Sequence, residues 1–90
     1  MTDDKDALIR RLSRIEGQVR GVSRMIDQDR YCIEVLQQVQ AIKAALERVE
    51  DVVLRDHTRT CVQAAIESGD ADEQREKFNE LVELFARVKR

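Results

Sequence analysis

Apolar residues recur every three or four positions near the start of the chain, which is the period of an α-helix. They are Leu8, Leu12, Ile15, Val19, Val22 and Ile26. This alternation of steps of four and three is the heptad seam of a helix that packs against other helices. Gly17 and Gly21 lie within this stretch, and because glycine destabilises a helix, they predict close contact with another backbone. With Asp3 or Asp4 as the N-cap, the pattern predicts a first helix over about residues 4–27.

A second apolar seam follows a break at residues 28–30. Its members are Val35, Leu36, Val39, Ile42, Leu46, Val49 and Val53. Asp29 is a suitable N-cap for this helix, and Ser68 with Gly69 marks its end. The spacing therefore predicts a second, longer helix over about residues 31–67.

A third seam lies near the end of the chain, after an acidic capping region. It consists of Phe78, Leu81, Val82, Phe85 and Val88, and it predicts a short helix over about residues 72–88. The absence of proline, the 38% of charged residues and the 3% of aromatic residues are typical of helices with coiled-coil packing. The chain is therefore predicted to be all-α, with three helices in a single domain over residues 1–90.

The length of the chain limits the core that one copy can form. Ninety residues bury a small core alone, so association with further copies is a natural source of additional burial. The first residues are acidic and no apolar run approaches the length of a membrane span, so we expect a cytoplasmic protein without a membrane partner. In that reducing compartment, the two cysteines are expected to be ligands or redox-active thiols rather than a structural disulfide.

Charge is distributed unevenly along the chain, although the net charge is only −2. Residues 10–24 contain Arg10, Arg11, Arg14, Arg20 and Arg24 against Glu16 alone. Residues 67–83 contain seven acidic and two basic residues. The basic face of the first helix is therefore a candidate for contact with DNA phosphates, and the alternative is a solvated surface of a coiled coil.

Cys32, His57 and Cys61 are the only cysteines and the only histidine in the chain, and their spacing favours one metal site. His57 and Cys61 are four residues apart, which places both side chains on one face of a helix. At about 100° per residue, Cys32 shares that face to within roughly 20°. However, a continuous helix holds Cys32 and Cys61 about 44 Å apart, so one chain cannot close the site.

A second chain can supply the missing ligand. If two copies of the second helix pack antiparallel, residues whose numbers add up to about 93 lie opposite each other. Cys32 of one copy then meets His57 and Cys61 of the other, and the helices cross near residues 44–46, where alanines permit close approach. Two thiolates and an imidazole suit Cu(I), and Zn(II) is possible with a fourth ligand. Nickel is disfavoured, because it would require another nitrogen donor.

Three segments of the chain resemble a known family. They are residues 11–25, with the sequence RLSRIEGQVRGVSRM, the Tyr31-Cys32 pair and the spacing His57-x-x-x-Cys61. Together they resemble the copper-sensing CsoR branch of the CsoR/RcnR metal-sensing repressors over nearly the whole chain. The resemblance implies an all-helical homodimer built on an antiparallel four-helix bundle, often paired into a tetramer. It also implies a repressor that Cu(I) releases from operator DNA.

The resemblance also implies roles for individual residues. The two cysteines and the histidine match the copper ligands of the family, and Tyr31 matches a tyrosine beside them. A supporting carboxylate is expected early in the third helix, where this chain has a longer loop, so Glu80 matches best and Glu76 is a rival. Arg11 and Arg48 match the DNA-contacting arginines of the family.

Arg10 and Arg14 are further candidates for DNA contact on the same basic helix. Two other functions remain open at this level. A thiol sensor for persulfide or aldehyde would use Cys32 and Cys61 as attacking and resolving sulfurs, and His57 would be nearly dispensable. A zinc-stapled helical scaffold would dissociate on chelation and would not bind DNA. An enzyme is not expected, because the sequence offers no set of nucleophile, base and orienting residue and no cofactor loop.

Overall fold

The computed structural model describes residues 5–88, which form three α-helices. They are α1 (Lys5–Asp27), α2 (Cys32–Ser68) and α3 (Ala71–Val88). No strand occurs in these residues, so the all-α prediction is confirmed. The predicted cap at Asp3 or Asp4 lies outside the described residues. None of the helices in the described part of the chain combines the length and apolarity needed to cross a membrane.

The turn between α1 and α2 shows that the predicted role of Asp29 was wrong. Asp29 has a φ of 55°, which is the left-handed conformation of a residue that ends a helix. Its N–H donates to Ile26 O at 3.1 Å, and the N–H of Arg30 donates to Met25 O at 2.9 Å. These two bonds are the pair that closes a Schellman motif. Asp29 therefore terminates α1 and does not cap α2.

The start of α2 is set by Tyr31 instead. The carbonyl oxygen of Tyr31 accepts hydrogen bonds from the N–H groups of Glu34 at 3.0 Å and Val35 at 3.2 Å. Arg30 Nη2 lies 2.8 Å from Glu34 Oε2, so this ion pair spans the first turn. As a result Cys32 is the first residue of α2, close to the predicted start of this helix at about residue 31.

The turn between α2 and α3 follows the prediction from sequence. Gly69 has a φ of 66°, a conformation that glycine adopts without steric cost, and it ends α2 as expected. Asp70 then caps α3, because its Oδ1 accepts a hydrogen bond from the N–H of Asp72 at 2.9 Å. Gln74 Nε2 also donates to Ala65 O at 3.2 Å and ties the first turn of α3 to α2.

The chain divides into two compact units, with a boundary between Val53 and Leu54 within α2. In the N-terminal unit, the buried apolar residues of the described chain are Leu8 and Ile15. In the C-terminal unit they are Leu54 and Ala65. A single domain over residues 1–90 remains a prediction.

Many residues of the predicted seams stay exposed in the single chain. They are Leu12, Val19, Ile26, Leu36 and Leu46 in the N-terminal unit, and Phe78, Val82 and Phe85 in the C-terminal unit. Phe78 is 66% exposed, although its side chain is among the largest in the protein. This is far more apolar exposure than isolated surface residues explain, which is typical of a chain that packs against further copies.

The predicted close approach at the two glycines of α1 is not made by this chain. A Cβ atom added at Gly17 would have Arg20 Nη2 as its nearest neighbour at 4.0 Å, and one added at Gly21 would have Arg24 Nη2 at 4.0 Å. These are ordinary contacts with flexible side chains of the same helix. Within residues 5–88, no other backbone segment lies near either glycine.

Candidate metal centre and basic cleft

His57 and Cys61 form a pair of potential metal ligands in the C-terminal unit. Both lie within α2, four residues apart, so the helix stacks them on one face as predicted. His57 is exposed and Cys61 is partly exposed, and neither cysteine of the chain is in a disulfide. The hydroxyl groups of the two threonines between them are engaged by the backbone of the same helix. Thr58 Oγ1 donates to Leu54 O at 2.8 Å, and Thr60 Oγ1 donates to Asp56 O at 3.0 Å.

The third predicted ligand, Cys32, lies at the beginning of α2 in the N-terminal unit and is exposed. Tyr31, which precedes it, is also exposed, at 65% of its surface. Within residues 5–88, no three side chains of His, Cys, Asp or Glu are grouped so that they could hold a metal ion. A single chain thus presents a two-ligand pair and a separate thiol. Two thiols and one imidazole still fit a soft cation by their donor chemistry.

Helix α3 places a lysine near Cys61. Lys77 Nζ lies 3.4 Å from Glu80 Oε2. The Glu80 carboxylate raises the pKa of Lys77 most, and the negative charges of Cys61 and Glu76 add to this effect. Both candidates for the supporting carboxylate, Glu80 and Glu76, therefore raise the pKa of Lys77. The ammonium group of Lys77 is in turn within electrostatic range of Cys61.

The predicted DNA-contacting arginines converge in the N-terminal unit. Arg11, Arg14 and Arg48 line an open cleft of about 730 Å³ between α1 and α2. Alanines at positions 41, 44 and 45 form part of its wall, and their small side chains leave room beside the guanidinium groups. Arg10 is exposed on α1 but does not belong to the lining. The structure thus brings together three of the four predicted arginines.

Sequence reasoning missed two polar residues at these sites. Gln18 lines the basic cleft, and Lys77 lies at the acidic end of the chain. The spacing contained a signal for Gln18, because it follows Arg14 by four residues and Arg11 by seven, on one face of α1. Lys77 gave a weaker signal. It follows Glu76 directly and precedes Glu80 by three residues, a spacing that allows an ion pair on the surface of a helix.

Comparison with known proteins agrees with the sequence resemblance. Residues 4–87 match the family model described as metal-sensitive transcriptional repressor. The copper-sensing transcriptional repressor CsoR of Bacillus subtilis is 44% identical over 82 residues, which cover 91% of this chain and 78% of that protein. The copper-sensing repressor CsoR of Geobacillus thermodenitrificans, crystallised with Cu(I), is 37% identical with a TM-score of 0.84, over 100% of this chain and 91% of that one.

A relative that senses another metal has a closely similar structure. The nickel-responsive transcriptional regulator InrS is 38% identical with a TM-score of 0.79, and the match covers 94% of this chain and 96% of that one. The overall structure therefore does not distinguish a copper-sensing repressor from a nickel-responsive one. That choice depends on the ligand residues.

Proposed function

Because this chain belongs to the family of metal-sensitive transcriptional repressors, we propose that it is a Cu(I)-responsive repressor that binds operator DNA without metal and is released when Cu(I) binds. The family comprises transcriptional regulators and not enzymes, as the sequence led us to expect. The observation that carries the proposal is the pair of His57 and Cys61 on one face of α2, with Cys32 as the remaining thiol.

The metal site is proposed to form between two copies of the chain. Helix α2 extends without interruption from Cys32 to Ser68, so each copy can present a thiol at one end and the His57 and Cys61 pair towards the other. In an antiparallel homodimer, Cys32 of one protomer completes the pair of its partner, and two equivalent sites result. The exposed apolar residues of both units support such an association.

The donor set favours Cu(I) over the other metals considered. Two thiolates and one imidazole form the soft, low-coordinate environment that Cu(I) accepts. Nickel in a square-planar site requires a further nitrogen donor, and the chain has only one histidine. Zinc requires a fourth ligand, for which the carboxylate of Glu80 or Glu76 is the available candidate. Glu80 already lies beside Lys77, which makes it a weaker candidate for direct ligation.

Repression depends on the basic cleft and is coupled to the metal site. Arg11 and Arg48, with Arg14, bind phosphates of the operator backbone, and Arg10 adds charge on the same helix. Cu(I), when bound, supplies bonds that hold the two thiolates and the imidazole at one point. Residues of α2 take part in both sites. The helix arrangement that favours metal ligation fits DNA less well, so metal binding and DNA binding weaken each other.

Replacement of His57 tests this proposal, because metal ligation requires the imidazole and sulfur exchange does not. His57→Ala protein should bind the protein's own promoter DNA as wild type does, but release it only at a Cu(I) concentration at least about tenfold higher. The measurement is fluorescence anisotropy of labelled DNA under anaerobic conditions. Thr60→Ala, one residue before Cys61 on the exposed surface, is the matched control and should respond as wild type.

Further ligands separate the alternatives in the same assay. Ni(II) and Zn(II) should release the DNA less effectively than Cu(I). If polysulfide releases wild-type and His57→Ala protein equally well while Cu(I) releases neither, the copper proposal is wrong and the cysteines form a redox switch. If no promoter DNA binds under any condition, the scaffold alternative replaces the repressor.

A further inference from the structure

Two opposite charges lie on the face of α2 that carries the predicted metal ligands. At about 100° per residue, Lys43 lies roughly 20° from Cys32 around the helix, and Glu50 has about the same angle as Cys32. Leu36 and Leu46 lie within about 40° of the same direction. All five residues belong to the N-terminal unit and are exposed in the single chain. An apolar face that includes charged positions is typical of a helix that pairs with a complementary helix.

Neither charge has a partner within its own chain. Lys43 and Glu50 are seven residues apart, roughly 10 Å along the helix, so they cannot pair with each other. No basic residue lies three or four positions from Glu50. Glu47 has the spacing for a pair with Lys43, but the ion pairs within residues 5–88 join other residues. This face of α2 therefore presents an unpaired cation and an unpaired anion.

The register of the proposed homodimer brings these two charges together. Cys32 and the partner's Cys61 lie opposite each other because their numbers add up to about 93, and the numbers of Lys43 and Glu50 add up to the same value. Lys43 of each protomer therefore lies opposite the partner's Glu50. The two-fold symmetry of a homodimer produces this contact twice, once on each side of the helix crossing.

Other ways of packing the same two helices bring like charges together. A shift of seven residues keeps the apolar seams in contact, but it places Lys43 against the partner's Lys43, or Glu50 against the partner's Glu50. Parallel packing in register makes both of these contacts at once. Like charges at such positions destabilise the pairing of helices, and complementary charges select its orientation and register.

We propose that Lys43 and Glu50 form two symmetric ion pairs between the α2 helices, and that these pairs select the antiparallel register in which Cys32 meets His57 and Cys61. The two ion pairs rest on the homodimer of the proposed function and add what fixes its alignment. A shift of seven residues would move Cys32 roughly 10 Å from the partner's ligands. Lys43 and Glu50 are thus positioning residues, which act on the metal site through the alignment of the helices.

Charge reversal in mixed, metal-free protein tests the inference. Lys43→Glu leaves two acidic residues at these positions and Glu50→Lys leaves two basic ones, so each homodimer is repulsive and the mixed dimer regains both pairs. With one variant labelled with ¹⁵N, native mass spectrometry after subunit exchange gives the fraction of mixed dimers. Mixed dimers should be favoured by about tenfold or more over the statistical equilibrium, and this preference should decrease as the ionic strength rises. Statistical mixing at low ionic strength would contradict the proposal.

The doubly reversed variant, Lys43→Glu with Glu50→Lys, distinguishes the two orientations. Its own antiparallel dimer regains both pairs, whereas a mixed dimer with wild type brings like charges together. Mixed dimers should therefore fall about tenfold or more below the statistical equilibrium. Parallel helices would enrich the mixed dimers instead, and that result would overturn the proposal.

Glu34→Lys mixed with Arg59→Glu is the matched control. The numbers of these two residues also add up to about 93, but both lie roughly 180–200° from Cys32, on the opposite face of α2. These variants should mix statistically. A preference as large as that of the Lys43 and Glu50 variants would assign the effect to general charge and not to the proposed pairs.

Cu(I) binding separates this inference from the proposed function. Lys43→Glu alone should bind Cu(I) about threefold or more weakly in competition with a chelator, and mixing with Glu50→Lys should restore the wild-type affinity. If wild type binds no Cu(I) while the mixing preferences hold, the copper proposal is wrong and the ion pairs stand. If wild type binds Cu(I) tightly and the variants mix statistically, the ion pairs are wrong and the copper proposal stands. A monomeric wild-type protein would contradict both.

Discussion

The two units of the chain differ in how much of a site each can build alone. The N-terminal unit forms a basic cleft from its own two helices, with Arg11, Arg14 and Arg48 in its lining. The C-terminal unit provides only His57 and Cys61, and the remaining thiol belongs to the other unit. The basic site is therefore a property of one chain, whereas the metal site is proposed to be a property of two. If the proposal holds, such a sensor would detect metal only when it is assembled.

The largest expected effect is on Cu(I) affinity, and its test uses a mixture of two ligand variants. Homodimers of Cys32→Ala or of His57→Ala lack one ligand at both proposed sites, so their Cu(I) affinity should fall by about a hundredfold or more. A mixed dimer retains one complete site, because the two replaced ligands then belong to the same site. Mixing should restore tight binding to about half of the mixed-dimer sites, as measured by competition with a Cu(I) chelator.

Subunit exchange must be confirmed in that experiment, for example by mass spectrometry of the intact mixture. Absence of recovery in confirmed mixed dimers would show that each site is formed within one chain. Tight binding by either homodimer would show that the replaced residue is not a ligand.

Replacement of arginines is expected to have an intermediate effect, limited to DNA binding. Arg11→Ala and Arg48→Ala should each weaken DNA binding and reduce the slope of log K against log salt by about one, because each removes a phosphate contact. Arg10→Ala is the matched control, since Arg10 lies outside the cleft lining, and its slope should change less. Fluorescence anisotropy at several salt concentrations gives these slopes.

The Cu(I) affinity of the same variants completes the comparison. It should be unchanged in all three, because none of these arginines is among the proposed ligands Cys32, His57 and Cys61. Equal slopes for Arg10→Ala and Arg11→Ala would assign DNA binding to general charge on α1 and not to the cleft.

The smallest expected effect concerns Lys77 and Glu80 in the C-terminal unit. Because Glu80, Cys61 and Glu76 raise the pKa of Lys77 above its ordinary 10.5, the charged lysine stabilises the folded state. This contribution is complete below pH 10.5 and is lost as the pH rises through the higher pKa of the folded state. Both side chains are about half exposed, so the effect on stability should be small.

Thermal unfolding of wild type and Lys77→Met across this pH range measures the contribution. The difference in Tm should be small at neutral pH and should vanish at alkaline pH. Lys5→Met, at an exposed position of α1, is the control and should show a smaller difference. A Tm difference that grows with pH would contradict the interaction.

Helices were predictable from the sequence because their apolar spacing is periodic over many residues, whereas single capping residues were not. Asp29 suits an N-cap by its side chain and also tolerates a left-handed backbone, and the local hydrogen bonds selected the second role. For α3 the sequence predicted only an acidic capping region, and the structure identifies the cap as Asp70, directly after Gly69. The charge cluster identified Arg11 and Arg14, but it could not exclude Arg10, which differs only in its helix face.

The candidate sites were predictable only where rare residue types carry the chemistry. The single histidine and the two cysteines could be recognised by their scarcity and spacing. The spacing places Gln18 on the helix face of Arg11 and Arg14, but nothing in the sequence distinguishes a buried amide from a solvated one. Lys77 gave only a weak signal, because lysine is common on helix surfaces. Burial and electrostatic contacts between helices, which depend on packing, make these two residues distinct.

The position of Cys32 as the first residue of α2 bears on the kinetics of metal exchange. The first N–H groups of a helix have no partners within it, so a terminal residue is released by opening of one turn, whereas His57 and Cys61 lie deep in the helix. Such local openings are fast compared with dissociation of subunits. If these residues hold a metal ion, the Cys32 thiolate would be the first ligand to detach, because its release requires the opening of only one helical turn.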